Sequence, residues 1–91
     1  MKNVEKQNFV KQLETVLKMA MPNVERVEFL TGEQYDKFLN NWNKPDYTPH
    51  YLADDELVVV TMNNGYGYPI NVTSNSLMGI ASDVIEKMKY K

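Results

Sequence analysis

The residue types able to do chemistry are few in this chain, and they are scattered. His50 is the only histidine, and Asp46, Asp54 and Asp55 lie close to it in sequence. An imidazole beside carboxylates can act as a general base or a metal ligand. No nucleophile stands at a recognisable spacing from it, and a lone loop histidine is ordinarily a solvated side chain. Asp54-Asp55-Glu56 supplies the hard oxygen atoms that suit calcium or magnesium. The run lacks the alternating ligand spacing of a calcium loop and reads as a solvated turn ahead of a strand. With no cysteine, a zinc site would have to be assembled from one histidine and carboxylates. Gly65-Tyr66-Gly67 has neither the lysine nor the strand-to-helix setting that aims backbone N–H groups at phosphate. Ser74, Ser76 and Ser82 have no His–Asp partners and no nucleophile elbow. The sequence therefore leads us to expect a non-catalytic protein that needs no metal and no cofactor.

The aromatic residues carry a stronger signal. Trp42, Tyr47, Tyr51, Tyr66 and Tyr68 come from the end of a helix, a long loop and a hairpin. Tyrosine and tryptophan concentrate at interfaces because they bury a large apolar area and keep a polar handle. If the loop folds beside the hairpin tip, these five residues and His50 form one interaction patch. The same aromatics could stack bases. Asp46, Asp54, Asp55 and Glu56 flank them, however, and that local charge repels phosphate. The net charge of −2 gives no compensating attraction, so a nucleic-acid partner is disfavoured.

The elements that must position these residues follow from periodicity. Asn3 to Met21 reads as a helix, with Phe9, Leu13, Val16, Leu17 and Ala20 on one stripe and Val10 at its edge. Pro22 stops it. Val24 to Leu30 alternates as a half-buried strand. Thr31-Gly32-Glu33-Gln34 is a capping box for a short second helix, whose Tyr35, Phe38, Leu39 and Trp42 share one face. Asn43 to Asp55 has neither period and is long for a loop in a compact domain. Glu56 to Asn63 is apolar on both faces, which marks a central strand.

Asn64-Gly65 is a hairpin signal, and a two-residue type I′ turn there sets a register. That register places Thr61 opposite Tyr68, Val59 opposite Ile70, and Leu57 opposite Val72. Pro69 then faces Val60 with its nitrogen turned outward, as an edge strand allows. In this reading Leu57, Val59, Ile70 and Val72 take the last helix and at least one other, while Val58, Val60 and Met62 need the first helix, the long loop or a second subunit to cover them. Thr73 to Lys91 is the last helix, capped by Ser74 or Asn75, with Leu77, Ile80, Ala81, Val84, Ile85 and Met88 on its apolar stripe.

The expected architecture is a single α+β domain over residues 1–91, in the order α-β-α-β-β-α. It has a three-stranded sheet whose second strand is central and whose second and third strands form an antiparallel hairpin. The charged N-terminal stretch lacks the apolar run of a secretory signal. No stretch approaches a membrane span, and with the missing cysteines this leads us to expect the cytoplasm and no membrane partner. Nine lysines against Arg26 alone, with abundant asparagine, fit the AT-rich coding of low-GC bacteria and their phages. The function expected is a small protein-interaction or regulatory module with an unidentified protein partner. Homodimerisation through the second sheet face or the aromatic patch is one form it could take. The alternative is nucleic-acid or small-ligand binding in a groove between the 43–55 loop and the 63–69 hairpin.

Overall fold

Local chemistry sets where the elements start and stop. The computed structural model describes residues 4–40 and 51–89, with side chains described for 4–37 and 51–89. The elements are α1 (Val4–Ala20), β1 (Val24–Thr31), α2 (Gly32–Asn40), β2 (Glu56–Met62), β3 (Gly67–Asn71) and α3 (Leu77–Met88). The sheet is antiparallel throughout, in the order β1-β2-β3, so β2 is central as expected. None of these helices is long and apolar enough to cross a membrane.

The hairpin register is one residue away from the expected one. Val58 lies opposite Ile70, Val59 opposite Pro69, Val60 opposite Tyr68 and Thr61 opposite Gly67. The turn explains the shift. Met62 donates its N–H to Tyr66 O at 2.7 Å, and Gly65 donates to Met62 O at 2.9 Å. The loop is therefore three residues, Asn63 to Gly65, and within it only Gly65 takes positive φ, at 91°. A two-residue type I′ turn would need positive φ at two consecutive positions; a three-residue loop needs it at the last one alone. Because side chains alternate, a slip of one residue exchanges the two faces. Leu57 and Val59 do not share a face with Ile70 and Val72, and the register expectation is corrected accordingly. Pro69 keeps its role with a different partner. Hydrogen-bonded pairs alternate from Met62/Tyr66 to Glu56/Val72, so Pro69 sits in a non-hydrogen-bonded pair and its nitrogen faces outward from the edge.

The core lies on the face made by Val24, Val27, Val58, Val60, Met62 and Ile70, with Val72 beside it. Both α1, through Val10, Leu13 and Leu17, and α3, through Ile80, Val84 and Met88, cover it. Each of these apolar side chains contributes about 1.5–3 kcal/mol by leaving water. The face of Val58, Val60 and Met62, expected to need the first helix, the long loop or a second subunit, therefore takes both long helices.

The ends of the helices are tied down by named groups. The capping box forms in both directions: Gln34 N–H donates to Thr31 Oγ1 at 3.1 Å, and Thr31 N–H donates to Gln34 Oε1 at 2.9 Å. The two remaining first-turn donors of α2 go to the 51–55 segment, Gly32 N–H to Asp55 O and Glu33 N–H to Ala53 O. The last helix begins later than the pattern suggests. Its N-cap is Ser76, whose hydroxyl accepts from Gly79 N–H at 3.1 Å. Ser74, expected as a cap, instead turns the chain with φ of 66°, and Asn75 N–H donates to Val72 O at 3.0 Å within that turn. Glu56 Oε1 accepts from Lys6 Nζ at 2.7 Å and from Ser74 N–H at 3.3 Å. That single carboxylate ties the start of α1 and the approach to α3 to the beginning of the central strand.

Candidate interaction surfaces

Half of the residues expected to form an aromatic patch can be placed. Trp42, Tyr47 and His50 lie outside the described residues. Tyr51 packs edge-on against Tyr35, with centroids 5.9 Å apart. Tyr66 stacks on Tyr68 at 6.1 Å. The pairs belong to different faces of the sheet. Tyr68 is opposite Val60 and packs against the helix-covered core. Tyr35 lines a cleft on the other face. Among the described residues Tyr35–Tyr51 and Tyr66–Tyr68 are thus separate aromatic pairs.

The cleft on the second face has a volume of about 640 Å³, and Arg26, Glu28, Tyr35, Val59, Thr61 and Gly67 are among its lining residues. Its charges satisfy one another locally. Arg26 lies 3.2 Å from Glu28 and 3.6 Å from Glu25. The Tyr35 hydroxyl is held above its ordinary pKa, first by burial and then by the neighbouring Tyr51. Among the described residues, no three histidine, aspartate or glutamate side chains come close enough to hold a metal ion. The Asp55 carboxylate is occupied otherwise: Oδ2 accepts from Leu52 N–H at 3.0 Å and from Asn71 Nδ2 at 3.4 Å.

A third surface was hidden in the helical stripes. Val16 and Ile85, both part of the apolar stripes read from the sequence, are 58% and 53% exposed. Met19 and Met78 are 80% and 82% exposed. Their placement follows from the helix flanks. Glu14 reaches the outer edge of β1, and Val16 and Met19 lie on other sides of α1, away from that contact. Asp83, Glu86 and Lys87 line a groove along β3, and Met78 and Ile85 lie on the other flank of α3. Four apolar side chains are thus left exposed on the two helices that cover the core, two on α1 and two on α3. The available signal was width: each stripe carries more apolar residues than one sheet face can bury.

No family model, no curated protein and no solved structure matches this chain.

Proposed function

We propose that this domain is a non-catalytic protein-interaction module and that it docks its partner on the outer surface of α1 and α3. The observation that carries this reading is that Val16 and Met19 on α1 and Met78 and Ile85 on α3 are each more than half exposed. Several large apolar side chains exposed on two neighbouring helices are a feature of binding sites, and methionine suits such a site because its unbranched thioether adapts to a partner's shape. Two helices side by side present a shallow groove, which fits the apolar face of an amphipathic helix.

Site-specific photocrosslinking tests the reading. A photoreactive residue at position 19 or 78 is expected to trap one discrete protein, identified by mass spectrometry, that the same group at Lys37 on α2 does not trap. Identical crosslinking from all three positions would sink it.

The cleft on the second face supports a second reading, binding of a small ligand. The observation favouring it is a concave surface of about 640 Å³ that combines apolar Val59 with the polar groups of Arg26, Tyr35 and Thr61.

A further inference from the structure

We propose that the outer edge of β1 is a self-pairing edge for a second copy of this chain, held closed by Glu14. The direction of the backbone groups comes first. Asn63 N–H donates to Asn23 O, and β2 alternates its bonds between its two neighbours, so Thr61, Val59 and Leu57 bond to β1. Their opposites on β1 are Arg26, Glu28 and Leu30. The N–H and C=O groups of Val27 and Phe29 therefore point outward, away from the sheet. A row of outward backbone groups on an edge strand is a template for strand addition.

Charge then selects the occupant and the register. If a second β1 pairs antiparallel about a two-fold axis through Val27, then Val27 meets its own copy as a hydrogen-bonded pair, and Arg26 meets the copy's Glu28 on both sides of the axis. Opposite charges directly across an antiparallel pair are favourable and like charges are not. An axis through Arg26 would set Arg26 against Arg26, and an axis through Glu28 would set Glu28 against Glu28. Only pairing about Val27 is complementary at both charged positions. The irregularity between Val24 and Arg26 limits the paired stretch, so even an edge freed of Glu14 pairs over only a short stretch.

Glu14 stands in the way. Its Oε2 accepts the outward N–H of Val27 at 2.9 Å, at the centre of that register. Thr31 N–H, at the far end of the strand, is taken by Gln34 Oε1 at 2.9 Å. A second β1 must displace Glu14 in each copy, and pairing would bring the two carboxylates toward the same axis.

Sedimentation equilibrium on the full chain tests the proposal. The unmodified chain is expected to be monomeric. E14A is expected to dimerise at least about tenfold more tightly, since each capping hydrogen bond to a charged group is worth about that factor. E14Q retains an acceptor of the same length and stays near the parent; E14D, one methylene short, follows E14A. Far-UV circular dichroism checks that each variant is folded. In the E14A background, R26E and E28R are each expected to abolish the dimer alone. Mixing those two variants restores it, because only the mixed dimer pairs opposite charges at both positions.

A parent chain that already dimerises overturns the proposal, as does folded E14A and E14D that stay monomeric, or a dimer indifferent to the mixing test. Serine substitutions at Val16, Met19, Met78 and Ile85 leave this dimer unchanged, so its fate is separable from that of the helix-layer surface.

Discussion

Glu14, at the middle of α1, accepts a hydrogen bond from the backbone N–H of Val27 on the edge strand β1, at 2.9 Å. The two residues are far apart in pattern terms: one sits on a polar helix flank, the other in an apolar strand position. Their contact joins the outer helix layer to the backbone of the sheet edge. The opposite edge is managed differently, by Pro69, which has no N–H to offer outward. The domain thus treats its two sheet edges with two devices, a side-chain acceptor and a proline.

The Glu14 contact also has a stability consequence. E14A is expected to destabilise the monomer by about 1–2 kcal/mol, the usual effect of losing a hydrogen bond to a charged acceptor that is partly shielded from water. E14Q should lose less than half of that. Urea denaturation at a protein concentration low enough to keep every variant monomeric checks both values.

Gly32 permits a close approach between the start of α2 and the 51–55 segment. A Cβ placed there would lie 1.9 Å from Leu52 O and 3.3 Å from the Tyr51 Cβ. The neighbour is backbone, and Gly32 and Glu33 both donate to carbonyls of this same segment, so relief would break the cap of α2. Gly32→Ala is expected to cost about 3 kcal/mol, at the upper end for overpacking. A denaturation midpoint within error of the parent would show that the 51–55 segment yields freely.

Ser74 offers a change of the opposite sign. Its φ of 66° places an L-residue in the left-handed region, at a cost of about 1–2 kcal/mol relative to right-handed geometry. Glycine removes that strain but gains entropy in the unfolded chain. Ser74→Gly should stabilise by roughly 0.5–1 kcal/mol, and Ser74→Val, with its branched Cβ, should destabilise. Thermal melts of the two variants, read for the sign of the shift, decide the point.

How much of this was legible in the sequence depends on what each feature is made of. The capping box at Thr31 and Gln34, the central β2 and the outward Pro69 rest on local chemistry, and the sequence carried all three. The hairpin register turned on whether one or two residues take positive φ at Asn64-Gly65. The dipeptide suits both loops, so nothing local separates them, and the difference exchanges the sheet faces. Val16 and Ile85 share helical spacing with Leu13 and Ile80. Periodicity shows that they are apolar neighbours, but the width of the sheet face decides which of them is buried. The Glu14–Val27 contact depends on how α1 crosses β1, and no spacing along the chain encodes that.

Paired substitutions within the α3 stripe separate burial from periodicity. Ile80 is fully buried, whereas Ile85 is 53% exposed. Ile80→Ala should cost about 3–4 kcal/mol, through lost transfer energy and the cavity left behind. Ile85→Ala should change stability by less than about 0.5 kcal/mol, while weakening capture of the partner in the crosslinking experiment. Equal costs at the two positions would mean that Ile85 is covered in solution.

The last prediction concerns alkaline pH. Burial and then the neighbouring Tyr51 raise the Tyr35 pKa above its ordinary value near 10. In the unfolded chain Tyr35 ionises at that ordinary value, while in the folded domain it holds its proton to higher pH. The folded state therefore binds more protons in that window, and its stability must fall as pH rises. The contribution of Tyr35 is fully present below its unfolded pKa and is lost as pH climbs through the folded one. Tyr35→Phe has no proton to lose, so its stability should decline less steeply above pH 10 than that of the parent. Tyr51→Phe removes the smaller cause and should bring the Tyr35 ionisation closer to the ordinary tyrosine value in a phenolate absorbance titration. If Tyr35→Phe and the parent lose stability in parallel across the alkaline range, Tyr35 is open to water in solution and the Tyr35–Tyr51 contact does not shield it.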